Sequence, residues 1–266
     1  MELQKTTFEN QNGIGVITMT YEANLNALDV TMATEVLYHL NQCDEDPAVK
    51  VVLLAHSGKA FSAGGDITFM YKKLQSGEQL GGGKSELSIL VGQLTLTIKK
   101  MKKLVISCVG GVAAGAGTNL ALSADFVFAS EKARFIQSFA GVGLVPDTGG
   151  SFLLSRILGS QKALELCVTA RPVKADEAKT LGLVYAVYPP EELAQNVMEF
   201  AAKLAKGPLL SYENIKKQNF YANFRDYEDY LNNCELETLA ICGGSEDFRE
   251  GLAAFVEKRE PNFQGK

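Results

Sequence analysis

The sequence predicts an α/β fold, because short β-rich runs alternate with helical stretches over its first two-thirds and strand signals nearly vanish from Ser160 onward. Its 266 residues, 46% apolar and 21% charged, suit one large globular domain or a domain with an appendage. Residues 15–20, 51–55, 104–109 and 126–129 read as strands by length and β-branched content. Between the first two, Asp29 is placed to cap a helix running to about residue 41, with Met32, Val36, Leu37 and Leu40 on one face. Residues 87–101 form a second helical stretch. The intervening segment 69–90 holds Gly81-Gly82-Gly83 and reads as a mobile surface loop, either a lid over a site or a plain connection. Helical stretches then follow at 161–168, 174–181, 191–203, 209–222, 226–241 and 245–258, with one strand signal at 182–187. This divides the chain into a core over 1–203 and a helical packing or assembly region over 204–266.

Composition excludes several classes of function. A net charge of -5 does not favour nucleic acid, whose phosphates demand clustered Lys and Arg. The one basic cluster, Lys99, Lys100, Lys102 and Lys103, reads as a solvated helix end. No run approaches the roughly 18 uninterrupted apolar residues of a membrane span, and the N-terminus lacks a signal-peptide pattern. Five scattered cysteines with no C-x-x-C pair point to reduced thiols and a cytoplasmic protein. His39 and His56, the two histidines, have no partners at ligand or triad spacing, so neither metal catalysis nor a Ser–His–Asp triad is expected. His39 reads as a surface or packing residue and His56 as part of a turn. No G-x-S-x-G, G-x-G-x-x-G or G-x-x-x-x-G-K-[ST] pattern occurs.

What remains are three glycine-rich turns. They are Ala60-Phe61-Ser62-Ala63-Gly64-Gly65-Asp66-Ile67, then Gly110-Gly111-Val112-Ala113-Ala114-Gly115-Ala116-Gly117 leading into a helical stretch, then Gly141-Val142-Gly143-Leu144-Val145-Pro146-Asp147-Thr148-Gly149-Gly150. Such turns can aim backbone N–H groups at a carbonyl oxygen that gains negative charge. They can equally serve only as tight turns.

Taken in order, the turns resemble the A-G-x-D, N-G-x-A-x-G-x-G and G-x-x-P-x-x-G-G elements of the crotonase (enoyl-CoA hydratase/isomerase) superfamily, with Gly110 where Asn is usual. The ending Phe255-Val256-Glu257-Lys258-Arg259-Glu260-Pro261-Asn262-Phe263 is similar to that superfamily's terminal helix and tail. The resemblance spans nearly the whole chain. It implies a spiral of repeated β-β-α units, with C-terminal helices that build homotrimers or homohexamers. It also implies that the N–H groups of Gly65 and Ala116 form an oxyanion hole. Ala23, Asn24 and Leu25, as the end of a strand, would line the thioester groove with Ala63, near Asp66, Ile67 and Met70. Phe255 and Lys258 match positions that reach the adenine end of CoA. No separate cofactor is implied, since CoA or phosphopantetheine enters as part of the substrate.

Hydratases of this family use two glutamates, and the matching positions here are Asn119 and Phe139, neither of which transfers a proton. Asp147 instead matches the catalytic aspartate of several family isomerases. The resemblance is to the trans-2-decenoyl-ACP isomerases and the enoyl-CoA isomerases of phenylacetate degradation, and it implies an allylic double-bond shift. An apolar pocket, with Phe61, Met70, Leu144 and Phe139 as walls, would raise the Asp147 pKa for this task. The alternative for Asp147 is a helix N-cap. Asn119 is either a polar pocket wall or an ordinary helix residue, and Asp66 and Asp125 are assigned to structure. A hydratase, or a non-catalytic thioester-binding protein, remains an alternative function. The carrier is an acyl-CoA or an acyl carrier protein thioester, and the lack of Arg or Lys around 20–24 modestly favours the latter.

Overall fold

The computed structural model describes residues 3–76 and 85–266. Its first hairpin pairs β1 (Thr6–Gln11) with β2 (Ile14–Met19) in antiparallel register, Gln11 opposite Ile14. Asn12 and Gly13 make the turn with φ of 56° and 91°, the two left-handed residues that a two-residue type I′ hairpin requires. Strand β1 escapes a hydrophobicity reading because its sequence is Thr-Thr-Phe-Glu-Asn-Gln and it lies at the sheet edge.

Six strands form the main sheet in the order β1-β2-β3-β5-β7-β10, adding β3 (Val51–His56), β5 (Leu104–Val109), β7 (Phe126–Ser130) and β10 (Ala186–Tyr188). All pairings beyond the hairpin are parallel. A parallel sheet needs both faces covered, which accounts for the unbroken apolar run Val51-Val52-Leu53-Leu54. Val52 and Leu54 pack into the main core, while Val51 and Leu53 face the cluster formed with Leu193, Val197 and Ala201 of α8 (Pro190–Ala205).

A second sheet, in the order β4-β6-β8-β9, comprises β4 (Ala60–Ser62), β6 (Val112–Ala114), β8 (Arg134–Ile136) and β9 (Val173–Lys174). Its strands are too short to show a period-2 pattern, and two of them lie inside stretches that read as glycine turns. The chain steps repeatedly from the main sheet to the small one and returns through helices. Strands β3-β4 precede α2 (Ile67–Gln75) and α3 (Glu86–Lys100), β5-β6 precede α4 (Ala116–Ser123), and β7-β8 precede α5 (Gly150–Leu158) and α6 (Ser160–Thr169). This is the β-β-α spiral, repeated in structure with no visible sequence repeat.

Helix α1 (Val30–Glu45) is capped as expected, the Asp29 carboxylate accepting the Met32 N–H at 2.8 Å, and it runs four residues past the anticipated end. His39 is buried within it and bonds Thr6 at 3.1 Å, so it is a packing residue, not a surface one. Most of the segment read as a loop at 69–90 is helical where described, with α2 through Gln75 and α3 capped by Ser85. The Gly81-Gly82-Gly83 stretch lies outside the described residues.

Helices α7 (Ala175–Thr180), α8 and α9 (Leu209–Asn223) lead to α10 (Tyr227–Tyr230), a π-helical turn (Leu231–Glu235), α11 (Leu236–Gly243) and α12 (Glu246–Glu257). The helical stretch expected over 226–241 is helical from Tyr227 to Gly243, with the π-turn inside it. The basic cluster also differs from a solvated end. Lys99 is half-buried over the Phe224 ring at 4.9 Å, and desolvation lowers its pKa to about 8, while Lys103 bonds the Cys43 and Asp46 carbonyls. Asp125 is structural, accepting the Val105 N–H at 2.8 Å and pairing with the buried Lys216 at 2.7 Å. No helix among the described residues is long and apolar enough to cross a membrane, and they hold no cluster of three or more potential metal ligands.

Candidate active site

The first wall comes from the turn after β2. Residues Glu22–Asn24 form a 3-10 helix, not the strand end expected for Ala23, Asn24 and Leu25, and Leu25 leaves it at φ 49°. The departure follows from hydrogen bonds that tie this turn to the first glycine turn. The Leu25 carbonyl accepts the Ala63 N–H at 2.9 Å, the Leu28 N–H donates to the Gly64 carbonyl at 2.7 Å, and Asn24 donates to the Asp66 carboxylate at 2.8 Å. Asp66 also caps α2 through the Phe69 N–H at 2.9 Å, so it braces the loop.

The two glycine turns meet where Gly64 adopts φ +83°, with room for no side chain. A Cβ there would lie 2.6 Å from the Ala114 carbonyl oxygen and 3.4 Å from the Ala116 nitrogen. Ala116 opens α4, so its N–H has no acceptor within the helix. His56 braces this turn from behind, its Nε2 accepting the Gly110 N–H at 2.9 Å.

A cavity of about 390 Å³ opens at this junction. Gly65, Asp66, Met70, Ala116, Leu144 and Asp147 line it, together with Phe69 of α2, Leu87 and Val91 of α3, Leu239 of α11 and Phe248 of α12. Ala23, Asn24, Leu25, Ala63 and Ile67 are not among its lining residues. Phe139 and Phe61 are also elsewhere. Phe139 is buried behind Gly115, and Phe61 meets the His56 ring edge-on at 5.8 Å. Phe255 is exposed, and Lys258 ends α12 at φ 56°, both apart from the cavity lining.

Asp147 is not a helix cap. Helix α5 starts at Gly150 behind Gly149 at φ 74°, and the Asp147 carboxylate accepts the Thr148 hydroxyl at 2.6 Å. Burial pushes its pKa up to about 6, against a smaller opposing effect of the Thr148 bond. No lysine or arginine among the described residues pairs with it. Asn119 is buried behind the same turn and donates to the Asp147 carbonyl at 2.8 Å, while Gln137 donates to its side-chain oxygen at 2.7 Å. Its amide thus holds the aspartate's backbone and does not form a pocket wall.

Glu235 is the acidic residue that sequence reasoning missed. Its carboxyl group accepts the Gly149 N–H at 2.9 Å, with a second, longer approach at 3.2 Å. It lies in the π-helical turn and is 2% exposed. In sequence it is one of many polar residues in a helical stretch, and no local motif marks it.

Fold and site together define an enzyme scaffold of the acyl-thioester class, in which two glycine turns and one half-buried acid converge on an apolar cavity. The enoyl-CoA hydratase/isomerase family model matches residues 9–266, and the chain belongs to that family, with the crotonase fold. It is 33% identical to a trans-2-decenoyl-[acyl-carrier-protein] isomerase of Streptococcus mutans over 266 residues, covering 100% of both chains. A 1,2-epoxyphenylacetyl-CoA isomerase of Escherichia coli is 32% identical over 96% of this chain and 97% of its own. Among solved structures, an enoyl-CoA hydratase from Mycobacterium avium subsp. paratuberculosis superposes with a TM-score of 0.89 at 30% identity, covering 99% of this chain and 100% of that one. Relatives of both activities thus match at similar identity, and the choice between them rests on the residues in the cavity.

Proposed function

We propose that the protein is an enoyl-thioester isomerase that shifts a C2=C3 double bond to C3=C4 on an acyl-CoA or acyl carrier protein substrate. The observation that carries this reading is Asp147, a half-buried carboxyl on the cavity wall without a cationic partner, its pKa raised to about 6. Such a group is largely ionised at pH 7 yet basic enough to accept a carbon-bound proton. It takes a proton from C4, the electron pair moves into the C3–C4 bond, and the C2=C3 pair passes into the thioester. The resulting dienolate oxygen is met by the Gly65 and Ala116 N–H groups. Return of the proton from Asp147 to C2 completes the shift, with no water consumed. Addition of water would require an acid and a base around a held water, whereas the family's two glutamate positions hold Asn119 and Phe139.

The test is incubation of trans-2-decenoyl-CoA, and separately its acyl carrier protein thioester, in deuterated water, with analysis by mass spectrometry and NMR. The expected product is the 3-enoyl thioester, changed in mass only by exchanged hydrogen, and Asp147→Asn should abolish its formation while still binding thioester. A product heavier by one water means hydration, and binding without any hydrogen exchange means a non-catalytic protein. The C-terminal helices of 204–266 are inferred to assemble copies into a trimer or hexamer, since they leave Ile215, Ile241 and Phe255 exposed. Ala23, Asn24, Leu25, Ala63 and Ile67 are assigned to the pantetheine approach, and Phe255 and Lys258 to the nucleotide end. Light scattering checks the assembly.

A further inference from the structure

Two carboxyl groups approach the turn carrying residues 147–149 from opposite sides, and the mechanism above uses one of them. Asp147 faces the cavity, and Glu235 stands behind the turn on α10–α11. The contacts between them are specific. The Thr148 hydroxyl donates to Asp147, while the Gly149 N–H donates to Glu235. Gly149 is glycine of necessity, because at φ +74° an added Cβ would overlap the Tyr227 hydroxyl of α10. The helix that delivers Glu235 is itself distorted. Five residues, Leu231–Glu235, wind as a π-turn, a form that costs helix geometry and recurs at functional sites.

We propose that Glu235 is a positioning residue of the reaction, a neutral carboxyl group that fixes Asp147 by taking the Gly149 N–H of the turn that follows it. This rests on the isomerase reading of Asp147. Neutrality follows from what surrounds it. The titratable groups facing Glu235 are Asp147 across the turn and Tyr227 and Tyr230 from α10, none of them a cation. On its far side, a cavity of about 170 Å³ is lined by Ser88, Gly92 and Gln93 of α3, with Glu228 as its other acidic residue. Burial, and next the Asp147 charge, hold the Glu235 carboxyl well above the ordinary carboxylate range, against the lowering effect of the Gly149 backbone bond. The other fully buried acid, Glu35, contrasts with it by accepting the N–H groups of Gln4 and Lys5 and the Thr6 hydroxyl. With one proton between Asp147 and Glu235, Asp147 carries the charge and Glu235 the proton, so the base faces no second charge behind the turn.

Glu235→Gln keeps an acceptor for the Gly149 N–H but cannot ionise, and Glu235→Ala removes both properties. For isomerisation measured from pH 5 to 10, Glu235→Ala should lower kcat by about tenfold to a hundredfold, the scale of a misplaced catalytic group. KM should stay nearly constant, and Glu235→Gln should restore kcat to near the wild-type value. The lower inflection should stay near the Asp147 value of about 6 in wild type and in the Gln variant. An upper inflection, where Glu235 ionises, should be present only in wild type. Unchanged kcat in Glu235→Ala, or a lower inflection that moves to lower pH in Glu235→Gln, overturns the proposal. The carboxyl carbon-13 signals of Asp147 and Glu235, followed through the same pH range, separate this from the assigned activity. A Glu235 already ionised at pH 7 refutes the inference even in an active enzyme. The expected titrations in a protein without isomerase activity refute the function and leave the clamp standing.

Discussion

Asp147→Asn keeps the outline of the side chain in the cavity wall and removes its charge, and the structure predicts how stability should respond. The carboxyl pKa rises from 3.8 to about 6 on folding, chiefly through burial. The shift is about 2 units, and at 1.36 kcal/mol each this is about 3 kcal/mol of preference for the protonated form in the folded state. Because the folded-state value is the higher one, the associated stability is complete below pH 3.8 and is lost as pH rises through 6. The variant does not ionise, so its advantage over wild type should be smallest near pH 4 and grow to about 3 kcal/mol by pH 7. The new amide N–H₂ subtracts a roughly constant 1–3 kcal/mol if it finds no acceptor, which makes the slope with pH the diagnostic quantity. On a chain of this size, about 3 kcal/mol corresponds to roughly 6–10 °C in Tm. Thermal unfolding followed by circular dichroism at matched protein concentration, from pH 4.5 to 8, measures it. Parallel Tm–pH curves for the two proteins would refute the claim that burial sets the Asp147 pKa.

Further predictions follow from the same site and its supports. In wild type, kcat/KM for isomerisation should fall about tenfold per unit below pH 6, as the Asp147 base is protonated. Asn119→Glu should destabilise the protein and give no hydratase product, because Asn119 is fully buried against Gly150 and its amide holds the Asp147 carbonyl; a soluble variant that hydrates enoyl-CoA would contradict this. Gly149→Ala should leave little folded protein in expression and melting assays, since φ +74° and the Tyr227 hydroxyl both exclude a methyl group. Lys216→Met removes the buried cation paired with Asp125 and should cost about 3–5 kcal/mol in urea unfolding, with Asp125→Asn in the same background recovering part of it.

How far the sequence reveals this molecule depends on the length of chain over which each cause acts. Val51-Val52-Leu53-Leu54 announces a strand covered on both faces, and Asp29 announces a helix start, because both effects are local. The Asn12-Gly13 signal was equally available and marks a hairpin whose first strand its own polarity conceals. Strands β6 and β8 were not legible, since three residues hold no period and β6 lies inside a glycine-rich stretch. Asp147 could be singled out by the resemblance of its turn to that of the family's isomerases. Its pKa could not be assigned, because the walls that dry it come from α2, α3, α11 and α12, while Phe61 and Phe139 point elsewhere. Lys99 read as solvated because its burial depends on Phe224, 125 positions away.

The dependence of the cavity on the last helices has a temporal side. Gly143 rests against the Asp247 backbone, where a Cβ would meet its carbonyl carbon at 2.8 Å, and Gly251 packs as closely on Val142. Leu239 and Phe248 close the cavity, and Glu235 reaches the turn behind Asp147. All of these partners leave the ribosome after both sheets have been synthesised. A nascent chain ending before residue 231 therefore lacks part of the cavity wall and the carboxyl group that holds the Gly149 N–H. Docking of α11 and α12 supplies both, so the step that completes the fold also closes the cavity.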